Sequence, residues 1–309
     1  MERDPKILGE EIQELKKEHN AVILAHNYQL GEIQEMADHV GDSLALAKIA
    51  DEVDEQVIVF CGVHFMAETA HILAPNKTVL LPEKSAGCAL AQKGDPQWLR
   101  DLKDKKPDLV VVCYVNSTAE IKALSDICCT SANAEAVVKS IPANREILFV
   151  PDQYLGGYIS RRLNRPMLLA SGYCPTHARM TIEDVRRKKK EYPNAKLMVH
   201  PESRKEVVDE ADVVTGTGGM LRYVKSPESE GVKTFLVGTE IGLLKRLERE
   251  NPDKMFVAVS EDAVCPDMKL ITLESVIDSL KKNQYIVTLP DDLRERAHKA
   301  VVRMIEIGK

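Results

Sequence analysis

Short runs of Val, Ile and Leu alternate along the chain with longer stretches whose apolar residues recur at helical spacing. This alternation predicts parallel-sheet α/β units. Three apolar runs stand out, at residues 21–25, 109–113 and 196–199. Each follows a charged amphipathic stretch that stops at Asn or Pro, predicting helices over 12–20, 98–107 and 182–193. Each run then opens into a polar tripeptide: His26-Asn27-Tyr28, Tyr114-Val115-Asn116 and His200-Pro201-Glu202. A short helix and a turn bearing a hydroxyl follow in every case: Gly41-Asp42-Ser43, Thr130-Ser131-Ala132 and Gly216-Thr217-Gly218. His26 to Tyr114 and Ser43 to Ser131 both span 88 positions, and Tyr114 to His200 and Ser131 to Thr217 both span 86. Shared offsets of this kind predict an internal repeat.

The repeat carries further strands at 56–60, 146–150 and 233–237, then at 78–81, 166–170 and 255–259. Each unit closes on a cysteine: Cys88, Cys174 and Cys265. The predicted fold is therefore α/β, with three homologous parallel-sheet αβα domains about a pseudo-threefold axis. Domain boundaries follow the cysteines: 1–88, 89–174 and 175–265. The tail, 266–309, carries a capped helix after Thr272, a strand over 285–289 and a helix over 291–307, and either completes the first unit or packs on the third. Ligands of open α/β sheets gather beyond the carboxyl ends of the strands, where the tripeptides and cysteines all fall.

Composition narrows the function. The 309 residues are 44% hydrophobic and 29% charged, as in globular domains. A net charge of -6 argues against nucleic-acid binding. The one basic run, Arg186-Arg187-Lys188-Lys189-Lys190, ends a predicted helix, where cations complement the dipole. No apolar run reaches the length of a membrane span, and the charged start Met1-Glu2-Arg3 shows no signal peptide, so a cytoplasmic protein is expected. Seven cysteines with no Cys-x-x-Cys pair suit neither a disulfide framework nor a zinc finger.

Equivalent placement in three repeats marks Cys88, Cys174 and Cys265 as joint ligands. Three converging thiolates suit a [4Fe–4S] cluster, one per chain, with one iron lacking a protein ligand. A zinc ion with three cysteines and water is the rival. Cys61, Cys113, Cys128 and Cys129 have no counterparts in the other units and are expected to be buried apolar residues. His19, His39, His71 and His298 lie in stretches read as helical and are expected at the surface. His64, also without a counterpart, stays open between site and structure. Ser43, Ser131 and Thr217 at helix starts suit anions. His26, Tyr28, His200 and Glu202 are candidate acids and bases.

The segments Ala25-His26-Asn27-Tyr28-Gln29, Gly41-Asp42-Ser43-Leu44, Tyr114-Val115-Asn116-Ser117-Thr118, Cys174-Pro175-Thr176-His177, His200-Pro201-Glu202 and Gly238-Thr239-Glu240-Ile241-Gly242 closely resemble those of the quinolinate synthase family. The resemblance implies condensation of iminoaspartate with dihydroxyacetone phosphate to quinolinate, in de novo NAD biosynthesis. It also implies supply of iminoaspartate by an aspartate-oxidising enzyme. It implies cluster ligation by Cys88, Cys174 and Cys265, and substrate binding by His26, Ser43, Tyr114, Val115, Asn116, Ser131, His200, Pro201, Glu202 and Thr217. Tyr28 matches a tyrosine the family uses in catalysis, and Glu202 is the expected principal acid/base. Ser203 stands where a cysteine often follows His-Pro-Glu in that family, and Cys265-Pro266-Asp267-Met268 lacks the second cysteine of some members.

Overall fold

A computed structural model describes residues 4–307; the start Met1-Glu2-Arg3 lies outside them. The chain forms three four-stranded sheets, parallel throughout. The first holds β1 (Ala21–His26), β2 (His39–Gly41), β3 (Val57–Cys61) and β4 (Thr78–Leu80). The second holds β5 (Val110–Tyr114), β6 (Ile127–Cys129), β7 (Ile147–Val150) and β8 (Leu168–Leu169). The third holds β9 (Lys196–Val199), β10 (Val213–Val214), β11 (Thr234–Gly238) and β12 (Met255–Ala258). All three share one order, second–first–third–fourth. The first strand of each unit is central and almost wholly buried, which is why it reads as an unbroken apolar run.

Local signals start the helices. Asp4 and Asp95 cap helices Pro5–Glu18 and Pro96–Lys105, each with proline in the first turn, and Thr181 forms a capping box on Ile182–Glu191. A second device repeats with the sequence offsets. Asp38, Asp126 and Asp212 each accept a backbone N–H from their unit's central strand, at Ile23, Val111 and Leu197, all at 2.8 Å. Each aspartate also returns its own N–H to the carbonyl of that same residue. The carboxylate thereby locks the second strand onto the first. These aspartates are separated by the same 88 and 86 positions.

Some expectations need correction. The strand predicted over 166–170 shrinks to Leu168–Leu169. In place of a strand over 285–289 there is a single antiparallel bridge, Leu80 to Ile286. His39 begins the short strand β2 and lies in no helix. His71 is buried, because helix His64–Leu73 is covered on every face from Phe65 to Leu73. The tail divides its packing: helix Leu273–Lys282 lies on helix Pro5–Glu18, while Asp291–Ile307 packs against Ala119–Leu124, β6 and His64–Leu73. Its last turn is tied to the second unit by Asn133 Nδ2 donating to the Met304 carbonyl at 3.0 Å. Among the described residues no helix is long and apolar enough to cross a membrane.

Candidate active site

The carboxyl ends of β1, β5 and β9 face one cavity of about 240 Å³. From the tripeptides it takes His26, Tyr28, Tyr114, Asn116, His200 and Glu202; from the turns, Ser43, Ser131 and Thr217; and from the unit ends, Cys88, Cys174 and Cys265. Val115 and Pro201, buried behind their neighbours, do not line it. His64 stays outside, half-exposed at a helix start with Nδ1 3.6 Å from Glu68.

Two tripeptides share a backbone turn. The N–H of Tyr28 approaches Nδ1 of His26 at 3.2 Å, and that of Glu202 approaches Nδ1 of His200 at 3.4 Å. Burial, with smaller electrostatic contributions, lowers both imidazoles to about 3, so both are neutral near pH 7. The His200 Nε2 lies 3.2 Å from Ser131 Oγ.

Glu202 is the hub. Its Oε2 lies 3.0 Å from His177 Nδ1 and 3.3 Å from His200 Nδ1, while Oε1 is buried with no hydrogen-bond partner. Burial alone would push this carboxyl up; His177, His200 and the neighbouring Tyr114 hydroxyl outweigh it and hold Glu202 below the usual carboxylate range. On the far side, His177 Nε2 lies 2.8 Å from Thr239 Oγ1, which lies 2.6 Å from the Tyr28 hydroxyl. With His177 Nδ1–H donating to Glu202, Nε2 is left to accept a hydroxyl proton. Hydroxyl, imidazole and carboxylate thus form a continuous hydrogen-bonded line, the arrangement that activates an oxygen nucleophile or relays a proton. Burial and nearby negative groups raise Tyr28 well above the usual phenol range, so it stays protonated and can act as an acid.

The hydroxyl turns meet because glycines allow it. A Cβ on Gly216 would lie 2.5 Å from Ser131 Oγ, and one on Gly218 2.3 Å from an Asp42 carboxylate oxygen. Ser43 and Thr217 are the first residues of helices Ser43–Glu52 and Thr217–Val224. Their helix starts are suited to carboxylate or phosphate groups.

The seven cysteines fall into two groups. Cys61, Cys113, Cys128 and Cys129 are fully buried in β3, β5 and β6, whereas Cys88, Cys174 and Cys265 line the cavity. One clamp presents the latter three. The residue following each unit's third-strand turn donates its N–H to the carbonyl two positions before the cysteine: His64 to Ala86 at 2.8 Å, Gln153 to Gly172 at 2.8 Å, Ile241 to Ala263 at 3.1 Å. Burial raises all three thiols, Cys88 to about 12, and two of the sulfurs add to the effect on a neighbour: Cys265 on Cys88, and both on Cys174. Thiolates crowded in this way need a cationic centre between them, and an all-sulfur donor set fits iron–sulfur or zinc chemistry. Cys174, His177 and Glu202 also place one donor atom each within 4.8 Å of one another. The site is therefore compatible with a metal cofactor.

Sequence reasoning gave no role to His177, Thr239 or Glu240, although the motifs containing them were noted. His177 lies three residues after Cys174 on the short helix Pro175–Ala178, so the Cys-x-x-His spacing brings its Nδ1 within 3.2 Å of the sulfur. That spacing was the available signal.

The fold and cavity define an α/β enzyme with a buried acid–base line beside a thiol-rich site. The family described as Quinolinate synthetase A protein matches residues 10–306. The chain is similar to the quinolinate synthase of Dehalococcoides mccartyi strain CBDB1, 54% identical over 98% of this chain and 99% of that one. It is similar to that of Thermodesulfovibrio yellowstonii, 51% identical over 96% and 97% of the two chains. It is also similar to that of Methanosarcina barkeri, 49% identical over 97% of each. The chain belongs to the quinolinate synthase family of NAD biosynthesis.

Proposed function

We propose that the enzyme condenses iminoaspartate with dihydroxyacetone phosphate to form quinolinate, releasing phosphate and two waters. The observation that carries this reading is the convergence on one cavity of three thiols, three hydroxyl turns and the Glu202–His177–Thr239–Tyr28 line. Cys88, Cys174 and Cys265 are the proposed ligands of a [4Fe–4S] cluster. When bound by three cysteines, such a cluster offers an iron without a protein ligand as a Lewis acid for a substrate hydroxyl or carboxylate oxygen.

The chain's own residues have distinct tasks. Ser43, Ser131 and Thr217, with the N–H groups of their turns, bind the anionic ends of the substrates. Neutral His26 and His200 orient oxygens, and Tyr114 and Asn116 close the second unit's side of the cavity. Glu202, ionised, takes protons from carbon, and Tyr28, protonated, gives one to a leaving oxygen through or beside Thr239. Val115 and Pro201 act only by shaping these loops. We further propose units bounded at 88, 174 and 265 about a pseudo-threefold axis, a cytoplasmic setting, and supply of the unstable imine by an aspartate-oxidising enzyme.

An anaerobic iron and sulfide count of the purified protein tests the cofactor. About four of each per chain is expected; one zinc and no sulfide would favour a single-ion site, for which Cys174, His177 and Glu202 are also placed. Assay with iminoaspartate, with and without the triose phosphate, tests the reaction. Quinolinate formed without the triose phosphate would end the proposal.

A further inference from the structure

Two buried polar side chains on the short helices after the first two tripeptides tie neighbouring units together. The Nε2 of Gln34 lies 2.9 Å from the Gln29 carbonyl, 3.1 Å from that of Asn27 and 3.0 Å from that of Gly242. Asn27 and Gln29 flank Tyr28, so one amide holds both sides of that residue and joins them to the third unit. Lys122, fully buried, donates from Nζ to the Ser117 carbonyl at 2.7 Å and to the Phe65 carbonyl at 3.3 Å. Ser117 follows Asn116, and Phe65 belongs to the first unit.

The two ties correspond. Gln34 to Lys122 and Gln29 to Ser117 both span 88 positions. The far partners correspond as well. Strand register aligns Cys61, Val150 and Gly238, and four residues beyond these stand Phe65, Tyr154 and Gly242. A further 86 positions on, the third unit carries Val208 in place of Lys122 and Ser203 in place of Ser117. Valine has no donor, so the equivalent bond to Tyr154 of the second unit does not form. The Ser203 hydroxyl is buried without a hydrogen-bond partner.

Helix packing follows the same division. Gly242–Glu250 packs on Gly31–Met36, and His64–Leu73 packs on Ala119–Leu124, where Glu68 Oε2 also accepts the Ala119 N–H at 3.2 Å. The corresponding helices of the second and third units, Gln153–Arg162 and Lys205–Val208, instead line a surface groove through Tyr158, Arg162, Lys205 and Val208. The loop after β9 is held differently. Arg204 Nε donates to the Ala178 carbonyl at 2.8 Å, and the His200 side chain approaches Ser131.

We infer that Gln34 and Lys122 are positioning residues that fix the loops carrying Tyr28 and Asn116 against the neighbouring unit, while the loop carrying Glu202 lacks this tie. The inference rests on the proposed tasks of Tyr28 and Asn116. An ammonium group is costly to bury unless it is hydrogen-bonded. Lys122 meets that need with two loop and helix carbonyls and the face of Phe65, 5.4 Å from its ring centroid. The same bonds that keep the donor satisfied hold the backbone beside Asn116 in one place.

Hydrogen exchange of the full-length protein, purified anaerobically and read by mass spectrometry, compares three corresponding amides. Those of Gln29, Ser117 and Ser203 each donate to a carbonyl of their own loop, at 3.0, 2.7 and 3.0 Å. In the wild type the Ser203 segment is expected to exchange about tenfold faster than the other two, the effect of one or two missing hydrogen bonds. Gln34→Leu should bring the Gln29 segment to the Ser203 rate, and Lys122→Met the Ser117 segment, each leaving the other loop protected. In turnover, Gln34→Leu should lower kcat about tenfold with KM within about twofold, because Tyr28 leaves its hydrogen-bonded line. Lys122→Met should act mainly on KM. Lys122→Gln, which gives the second unit the side chain that serves the first, should recover both protection and KM. Equal exchange of the three wild-type loops would overturn the inference. So would loosening of all loops together in either variant, or unchanged kinetics in both. A wild-type protein that forms no quinolinate would instead overturn the proposed function, and the exchange pattern would still decide the ties.

Discussion

The loops after β1 and β9 start from the same design and end with opposite chemistry. Each carries a histidine whose Nδ1 faces the N–H two residues on, and burial keeps each imidazole neutral. The third residue differs: Tyr28 in one, Glu202 in the other. Both reach His177, Tyr28 at 3.3 Å and Glu202 at 3.0 Å, from opposite ring nitrogens. The two supports are alike, and a single side chain at the end of each separates a phenol held protonated from a carboxyl group held ionised. The proposed acid and base roles need paired groups pushed apart in this way.

The comparison is most exposed at Glu202. Glu202→Gln keeps the shape but removes the charge, and should lower kcat by about 10³-fold while iron and sulfide content stay unchanged. Steady-state assay beside a metal count checks this; full activity would take Glu202 out of the chemistry. Tyr28→Phe should cost less, about 10²-fold, because Thr239 still offers a hydroxyl to His177 at 2.8 Å. A tyrosine variant as damaged as the glutamine variant would mean that the two loop ends act as one unit.

Much of this was legible in the sequence, and the limits have physical causes. Offsets of 88 and 86 locate the tripeptides and hydroxyl turns because duplication preserves register. The same logic is blind to what occurs once: His177 and Thr239 have no equivalents to compare. His71 was misread because polarity suggests exposure, whereas its helix is enclosed by other helices and the tail. Residues 285–289 alternate like a strand, yet only Ile286 finds a bridge partner.

If the two loops are equivalent supports, their histidines should respond alike to acid. Each has a folded value of about 3 against 6.5 for an unperturbed histidine. Folding therefore excludes a proton that the unfolded chain binds. The contribution of each is present above about 6.5 and is lost as pH falls toward 3, at up to about 1.4 kcal/mol per pH unit. Glu202, with its lowered value, acts in the same direction at lower pH. Denaturant titrations at pH 7, 6 and 5 should show falling stability in the wild type, and His26→Gln and His200→Gln should each flatten the slope by similar amounts. One flat and one unchanged slope would break the equivalence.

The middle residues of the two loops give the smallest and sharpest contrast. Asn27 donates from Nδ2 to Thr217 Oγ1 at 2.9 Å and accepts at Oδ1 from Arg246 at 2.7 Å, so it orients the hydroxyl of a cavity-lining residue contributed by another unit. Pro201, buried and off the cavity, has no side-chain polar group with which to do the same. Asn27→Ala leaves Arg246 and Thr217 each without this partner, and should cost about 1–3 kcal/mol of stability. With Thr217 freed to rotate, KM should rise several-fold while kcat changes little, because the proposed task of this hydroxyl is to bind substrate without moving a proton. Pro201→Ala removes no hydrogen bond and should leave both constants within about twofold, its main effect being a looser backbone in the unfolded chain. If the two variants prove alike in KM, the link between the first and third units through Asn27 does not position substrate. The equivalence of the loops would then extend to their middles as well as their histidines.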